Sequence, residues 1–315
     1  MKKRMTWMLL FVVSFHLPLS AQKMVPVGHP RGFGGMISRN MMEVIDSVVL
    51  RVQYHTFYRD SKEDVNRQEC VEALYIGQKM SEYRENVFQY SDLVIPQELH
   101  EAAKRSKDTL NMVSAMLITE QRKYKITPYT IRKNYPAQGQ QTDYENLCLG
   151  WMIQKPKMNF KVFFQEPIAQ IEWELVDGDS TIVGYVCQKA TTTFRGRRWT
   201  VWYSPDLPYQ DGPWKLCGLP GLILKADDAA GDFSFEAVGL TKPKDEYIGK
   251  HPDLDGYTKT TTQRLQELMV LKYKNPDAFY SMVLGAEQLR SIMESGYVEK
   301  FATNRTACLI ERFDE

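Results

Sequence analysis

Apolar and polar residues alternate along much of the chain, which is typical of strands that bury one face and expose the other. The clearest run lies at 48–58, where Val48, Leu50, Val52 and Tyr54 alternate with largely polar neighbours. Similar short runs predict further strands at 71–76, 85–90, 123–132, 159–164, 171–176, 180–186, 199–203, 222–225 and 233–240. Because short turn-rich segments join many of these runs, the pattern predicts an antiparallel sheet built from hairpins.

Glycine and acidic residues mark the predicted turns. Asp177-Gly178 separates two apolar runs, and Asp-Gly in that position is the strongest short-range hairpin signal in the chain. Arg195-Gly196 suits a second hairpin corner, and the segment 227–231 suits a third. The polar segment 136–143 predicts a loop between strands.

Helical spacing occurs in two places. Apolar residues recur at intervals of three or four over 96–123, and Pro96 can occupy the first turn of that helix. Near the C-terminus, 260–262 offers an N-cap, Asn275-Pro276 begins another helical turn, and 286–295 has one apolar side. We expect these helices to pack over the sheet.

The predicted fold class is a β-rich α+β protein, with an antiparallel curved sheet or partial barrel and packed helices. In outline this resembles periplasmic lipoprotein-carrier folds, a likeness at the level of fold that implies no function. A glycine- and proline-rich stretch at 22–45 predicts an irregular N-terminal arm. The remainder, 46–315, is predicted to be a single β-rich domain whose C-terminal part, about 260–295, is helical.

The first residues have the pattern of a secretory signal peptide. Three basic residues precede an apolar run at 8–15, and small residues lead to a predicted cleavage site near Ala21. We therefore expect export, to the periplasm or to an outer-membrane-associated location. No later run approaches the roughly 20 apolar residues of a membrane span, so no transmembrane segment is predicted.

Charge excludes one class of partner. The formal net charge of the 315 residues is +1, and loss of the three positive charges in 1–21 leaves −2. A nearly neutral exported protein is a poor binder of nucleic acid. The partner is instead expected to be an unknown envelope protein or an amphipathic ligand.

Glycine, proline, tryptophan and cysteine are most concentrated at 182–226. The sequences GRRWTVWY at 196–203, DGPWK at 211–215 and GLPGLI at 218–223 together resemble the GLPGLI family of exported bacterial proteins. That family is defined by the motif, and the resemblance implies no activity and no catalytic residue. The motif comprises Gly218, Leu219, Pro220, Gly221, Leu222 and Ile223.

The motif has a predicted structural role. Proline fixes φ for the second residue of a turn, and glycine accepts the positive φ that a type II turn needs at the third. Pro220-Gly221 is therefore expected to redirect the chain, with Gly221 at positive φ, so that the following apolar residues enter the sheet.

Four residues of this region are candidates for ligand binding. Trp202 and Trp214 could line an open groove, although both could equally be core residues. Arg195 and Arg197 could meet a carboxylate or phosphate, although a solvated hairpin tip is the simpler interpretation of that cluster. Alternation places large apolar groups on both faces of 199–203, so either a second layer covers the sheet or a groove stays open.

Cysteines and histidines give weaker signals. Five cysteines remain after signal removal, and Cys187 with Cys217 is the most plausible disulfide pair. The acidic turn at 251–256 lacks calcium-loop spacing, because Arg264 stands where a bidentate glutamate would be needed. No histidine lies in a recognisable nucleophile motif, so no catalytic residue, metal or cofactor is predicted.

The preferred hypothesis is a non-catalytic cell-envelope protein that binds an apolar ligand or a partner polypeptide. One alternative is a hydrolase-like envelope enzyme whose site is assembled from dispersed residues. A second is a structural accessory of an outer-membrane assembly. An open apolar groove would favour binding, a convergent polar cluster in a cleft would favour catalysis, and a flat apolar patch would favour a partner surface.

Overall fold

The structure is a computed structural model, and it describes residues 24–26, 44–85, 94–96, 129–146, 161–244, 246–249, 257–294 and 304–312. Fifteen strands and three helices lie in these ranges. The strands are β1 (Met24–Pro26), β2 (Val44–Tyr58), β3 (Gln68–Gly77), β4 (Ser81–Glu85), β5 (Val94–Pro96), β6 (Tyr129–Lys133), β7 (Gln140–Asn146), β8 (Lys161–Pro167), β9 (Glu174–Ile182), β10 (Tyr185–Phe194), β11 (Arg197–Ser204), β12 (Leu222–Asp228), β13 (Phe233–Thr241), β14 (Tyr247–Gly249) and β15 (Thr258–Lys259). The helices are α1 (Thr262–Lys274), α2 (Pro276–Leu284) and α3 (Ala286–Glu294).

One large sheet dominates the fold. Its strands follow the order β15-β8-β7-β6-β4-β3-β2-β13-β12-β11-β10-β9, and β14 also pairs with β2. Every pairing in this sheet is antiparallel except the short parallel contact of β15 with β8. The sheet is open, with β15 and β9 at its two edges. The predicted fold class, a β-rich α+β protein with an antiparallel curved sheet and helices, is confirmed.

An ion pair shows how strongly the sheet curves. Eight steps of about 4.8 Å separate β8 from β11 along the sheet, which would be about 38 Å if the sheet were flat. Yet Arg195, in the turn between β10 and β11, places its guanidinium 2.7 Å from the carboxylate of Glu166 on β8. The two halves of the sheet must therefore curl towards each other, as in a partial barrel.

The chain between β11 and β12, here called the inner segment (residues 205–221), contributes to the core of this curved sheet. Trp214 packs between Trp199 of β11 and Phe194 of β10, with ring centroids 5.7 Å apart in both pairs. The inner segment buries four large apolar side chains in the same cluster as the strands: Leu207, Trp214, Leu216 and Leu219. A turn-rich loop thus forms part of the hydrophobic core.

The β10–β11 turn forms as predicted, whereas the hairpin predicted at Asp177-Gly178 is wrong. Arg195 and Gly196 have φ values of 52° and 69°, which suit a tight two-residue hairpin. Strand β9 instead continues through Asp177-Gly178, because the pairing with β10 shifts there and accommodates the dipeptide as a bulge. The chain reverses after β9, at Val183 and Gly184, whose φ values are 44° and 85°.

Several predicted boundaries also move. Strand β4 ends at Glu85, and the rest of the strand predicted at 85–90 lies outside the described residues. Strand β7 occupies the second half of the predicted loop at 136–143. Within the predicted irregular arm, β1 pairs with β5, which includes Pro96. The rest of the helix predicted at 96–123 lies outside the described residues.

The C-terminal helices form as the capping signals predict. The side chain of Thr261 accepts a hydrogen bond from the backbone of Arg264, and that of Asn275 accepts one from Ala278. Phe279 and Tyr280 of α2 are buried, so this part of the chain packs against its neighbours. None of the described helices combines the length and apolar character needed to cross a membrane.

The predicted positive φ at Gly221 is wrong, but glycine is still required there. Gly218 has the positive φ in this motif, at 92°. Gly221 instead lies against β11, where an added Cβ would stand 2.2 Å from the carbonyl oxygen of Ser204 and 3.0 Å from the Cα of Pro205. These are backbone atoms that cannot rotate away, so the constraint is close approach rather than turn geometry.

We predict that Gly221→Val lowers the free energy of unfolding by about 1–3 kcal/mol, because the new side chain overpacks against the backbone of β11. Chemical denaturation monitored by tryptophan fluorescence measures this. Pro220→Ala is the matched control, since Pro220 is exposed and its replacement removes no core contact. Equal stability of Gly221→Val and wild-type protein would contradict this account of the motif.

Candidate functional site

Two buried lysines hold the inner segment against the sheet. Lys133 of β6 pairs with the carboxylate of Asp211 and donates to the carbonyl oxygens of Gly212 and Leu216 at 2.9 and 3.2 Å. Its three donors are therefore all used within the protein. The first residue of the DGPWK sequence thus anchors the inner segment to the β6 side of the sheet.

Lys215, the last residue of DGPWK, is the centre of a larger cluster of ion pairs than that of Lys133. The ammonium of Lys215 pairs with Asp143 of β7, with Glu166 of β8 at 2.9 Å, and with Glu311 near the C-terminus. Only 3% of the Lys215 side chain is exposed. Because Glu166 also pairs with Arg195, this cluster joins both halves of the curved sheet, the inner segment and the C-terminal segment.

The carboxyl groups of this cluster differ in acidity. Burial raises the pKa of Asp143 to about 6, although Lys215 opposes the shift. Burial, with repulsion from Asp143 and Glu311, raises the pKa of Glu145 to about 8. Burial would also raise the pKa of Glu166, but Lys215 and Arg195 outweigh it and lower that pKa. The cluster thus contains both a strong and a weak carboxylic acid.

Trp214 was a candidate binding residue, and the structure corrects that prediction. Its side chain is buried, 2% exposed, between other aromatic rings of the core. The neighbouring ion pairs of Asp211 and Lys215 hold its backbone on the inner side of the sheet. Trp214 is therefore a core residue, and it cannot line an open groove.

Arg195 and Arg197, the other two residues near the hairpin tip, are engaged internally. Arg197 is buried, pairs with Asp228 and Asp232, and donates twice to the carbonyl oxygen of Leu309. Arg195 pairs with Glu166 on the opposite half of the sheet. The structure thus corrects the prediction for Arg197, which is buried and bound to groups of the protein itself, whereas ligand binding by Arg195 stays a prediction.

The predicted disulfide between Cys187 and Cys217 is wrong. Both thiols are free and buried, as is that of Cys308. Cys187 directs its sulfur to the carbonyl oxygen of Tyr185 at 3.4 Å. Burial raises the pKa of Cys217, whose thiol is influenced by the charges of the buried Lys133–Asp211 pair. The two sulfurs therefore have different neighbours.

Trp202 lies on the opposite side of the sheet from these clusters. Its neighbours Val201 and Tyr203 point into the core, so alternation directs Trp202 outward, where it is half-buried. Lys189 of β10 and Lys225 of β12 flank it, with their ammonium groups 5.9 and 5.6 Å from the ring. The outward side chains of β10 and β11, here called the Trp202 face, are Lys189, Thr191, Thr193, Arg198, Thr200 and Trp202.

A surface depression of about 380 Å³ adjoins the Trp202 face. It forms where the pairing of β9 with β10 ends at Glu174, so that the preceding residues diverge from the sheet. The indole N–H of Trp173 donates to the carbonyl oxygen of Cys217 at 2.9 Å, which fixes this ring in the wall. The depression is lined by Glu172, Trp173, Glu174, Thr191, Thr192, Thr193 and Arg198.

Metal and catalytic signals are sparse in the described ranges. They contain no group of three or more histidine, cysteine, aspartate or glutamate residues arranged to hold a metal ion. His55 is the histidine that these ranges include, and its ring contacts Phe57 and lies 3.4 Å from a carboxylate oxygen of Glu69. The acidic turn at 251–256 lies outside the described residues.

Some residues of these sites could not be found from the sequence. Asp143 and Glu166 lie far from Lys215 along the chain, and the long-range curvature of the sheet brings them together. Arg198 and Thr200 share a face with Trp202 by simple alternation, so that signal was available. No such signal was available for Trp173, because its position depends on where the pairing of β9 with β10 ends.

Comparison with known proteins gives little further information. No family model matches the chain, and no curated protein matches it. Among solved structures, the chain is similar to PNGF-II in the P21 crystal form, with 15% identity and a TM-score of 0.42 over 72% of this chain and 34% of that chain. The C2 form gives 14% identity and a TM-score of 0.40 over 71% and 33%. The chain thus spans about a third of PNGF-II, and similarity this low supports no inference about function.

We predict that Lys215→Met lowers the free energy of unfolding by about 3–5 kcal/mol at neutral pH, because it leaves buried carboxylates without their cation. Denaturant unfolding measures the change. Arg264→Ala is the control, since its pair with Glu267 is exposed and should contribute less than about 1 kcal/mol. A small effect of Lys215→Met, similar to that of the control, would contradict the structural role of the cluster.

We also predict that Glu145→Gln flattens the pH dependence of stability. The folded protein retains a proton on Glu145 up to a pKa of about 8, against 4.5 for an ordinary glutamate, so stability falls as pH rises through this window. Asp143 contributes the same trend only up to about pH 6, and it remains in the variant.

Between about pH 4.5 and pH 8 the wild-type protein should therefore lose stability relative to Glu145→Gln, and above pH 6, where the Asp143 contribution ends, the variant should show almost no slope in thermal unfolding curves. Glu287→Gln, on the exposed surface of α3, should retain the wild-type slope. A wild-type slope in Glu145→Gln would show that Glu145 ionises normally in the folded protein.

Proposed function

We propose that this chain is an exported, non-catalytic cell-envelope protein of the GLPGLI type that binds an amphipathic ligand or an envelope partner. The observation that carries the proposal is the position of Trp202. It is a half-buried indole on the outer side of the sheet, flanked by two ammonium groups. Tryptophan in such a position offers a large contact area with little loss of conformational freedom on binding.

The inward position of the DGPWK sequence at 211–215 supports this choice. Asp211, Trp214 and Lys215 all face inward, where they join the inner segment to the sheet. Their bonding partners belong to the protein, so these residues stabilise the fold rather than contact a ligand. The outer surface is left as the place where a partner can be recognised.

Export remains part of the proposal. Residues 1–21 have the order of a signal peptide, and the proposed mature protein begins near Gln22. The same proposal includes a periplasmic or outer-membrane-associated location.

An enzyme is the second candidate, and one observation favours it. Glu145, with a pKa of about 8, and Glu166, with a lowered pKa, belong to the same region of the structure. Carboxyl groups whose acidities are driven apart can serve as acid and base. Against this, Glu166 is held by Lys215 and Arg195, which leaves less freedom for a reacting group.

The proposal predicts that Trp202→Ala protein folds but loses its partner, with a loss of about 2 kcal/mol or more in binding. Immobilised wild-type and variant proteins are incubated with envelope extract, and the retained lipids, glycans and proteins are compared by mass spectrometry. Val238→Ala is the control, because Val238 is an exposed apolar residue on another strand. Melting curves accompany each variant.

Trp214→Ala should instead lower stability by about 3–5 kcal/mol, as expected for a large core residue. Equal retention by wild-type and folded Trp202→Ala protein would contradict the proposal. If Glu145→Gln abolished a measured turnover, the enzyme would replace the binding protein as the better account.

A further inference from the structure

The Trp202 face combines one aromatic ring with many polar groups. Thr191 and Thr200 are cross-strand partners, as are Thr193 and Arg198, so hydroxyl and guanidinium groups follow the indole along the strands. Trp202 and Arg198 are four residues apart on β11, which corresponds to about 14 Å. The face is therefore longer than a single small ligand.

The adjoining depression continues this chemistry. The ring of Trp173 forms part of its wall, and the exposed residues Glu172, Glu174 and Arg198 line the same depression. The hydroxyl of Thr191 lies 3.5 Å from Glu174. Donors, acceptors and an apolar ring thus occur together within about 380 Å³.

The cations on the Trp202 face and beside it differ in how far neighbouring carboxylates neutralise them. Lys225 pairs with Glu236 at 2.8 Å. Within the described ranges, Lys189 and Arg198 have no ion pair, so their N–H groups are available to a ligand. Since carboxyl groups of Glu172 and Glu174 lie nearby, the surface offers both signs of charge and suits a ligand with many hydroxyl groups.

Two other classes of partner fit this surface less well. A peptide that adds to a sheet needs a free strand edge, but β11 is paired with both β10 and β12, and β10 is paired with β9 as far as Thr191. The β9 edge carries a bulge and the acidic residues Asp177 and Asp179, features that protect edges from pairing. A lipid tail needs continuous apolar surface, whereas polar side chains surround Trp202.

We propose that the Trp202 face and its depression bind an oligosaccharide of pyranose units. A pyranose ring has an apolar C–H face that can stack on Trp202 and an equatorial rim of hydroxyl groups. The threonine hydroxyls, Glu174, Lys189 and Arg198 match that rim with acceptors and donors. This inference rests on the proposed binding function, since it names the ligand of the same face.

Titration of the purified mature protein tests the inference. The probes are cellohexaose, chitohexaose and hexagalacturonate, with glucose as the single-sugar comparison, and binding is followed by calorimetry and by tryptophan fluorescence. At least one hexasaccharide should bind, and glucose should bind more weakly because it contacts only part of the face. Trp202→Ala should weaken binding roughly thirtyfold.

Further variants separate binding from folding. Trp202→Phe retains a ring and should restore part of the affinity, and Arg198→Ala should weaken binding without touching the core, since Arg198 is exposed. Val238→Ala should bind as wild-type protein does. Unchanged affinity in folded Trp202→Ala and Arg198→Ala proteins would overturn the site.

Two more probes separate this inference from the proposed function. Vesicles of phosphatidylethanolamine with phosphatidylglycerol test for a lipid surface, and an octapeptide of alternating valine and lysine tests for strand addition at β9. If the vesicles or the octapeptide bind and no hexasaccharide binds, the sugar assignment is overturned and the proposed binding function remains. Failure of every hexasaccharide to bind would also overturn it, whereas the function itself depends on the envelope-extract experiment.

Discussion

The ammonium group of Lys215 is the constraint on which the curved sheet depends. It holds carboxylates from β7, β8 and the C-terminal segment around one point of the inner segment. Burial of an ammonium is costly, but the three carboxylates outweigh that cost and raise the pKa of Lys215. The cluster therefore favours one arrangement of four distant parts of the chain, because any other would leave a buried charge without a partner.

The same constraint explains the composition of the motif region. Once Asp211 and Lys215 are fixed to the sheet, Trp214 between them must lie in the core, where it packs on Trp199. Gly221 must then follow closely under β11, which leaves no room for a Cβ beside Ser204. Glycine, proline and tryptophan are concentrated here because the chain passes through the inside of a curved sheet, where space and direction are both restricted.

Local signals predicted the strands well and their connections less well. Alternation over 48–58 identified β2, and the caps at Thr261 and Asn275 identified two helices, because each depends on residues close together in sequence. The hairpin predicted at Asp177-Gly178 was wrong because the dipeptide forms a bulge inside β9. Only the pairing with β10 distinguishes a bulge from a turn.

In the candidate site too, local sequence predicted some features, whereas others depend on residues far apart in the chain. Alternation alone placed Trp202 opposite Trp199, but it could not tell which of the two faces was covered. Lys215 and Glu166 are 49 residues apart in sequence, so the sequence contains no local signal that joins them. For the same reason Arg197 looked like part of an exposed tip, whereas its carboxylate partners come from the next hairpin.

The separation of the two faces also bears on how the fold could change during evolution. The inner side has its charges matched by partners from several strands, so a substitution there disturbs stability before it can alter recognition. On the outer side, Thr193, Arg198 and Thr200 point away from the core, so their replacement changes surface chemistry at little cost to folding. A protein built in this way can keep its motif for stability while its outer face adapts to a ligand, which is why the most recognisable residues of this sequence are not the ones we assign to binding.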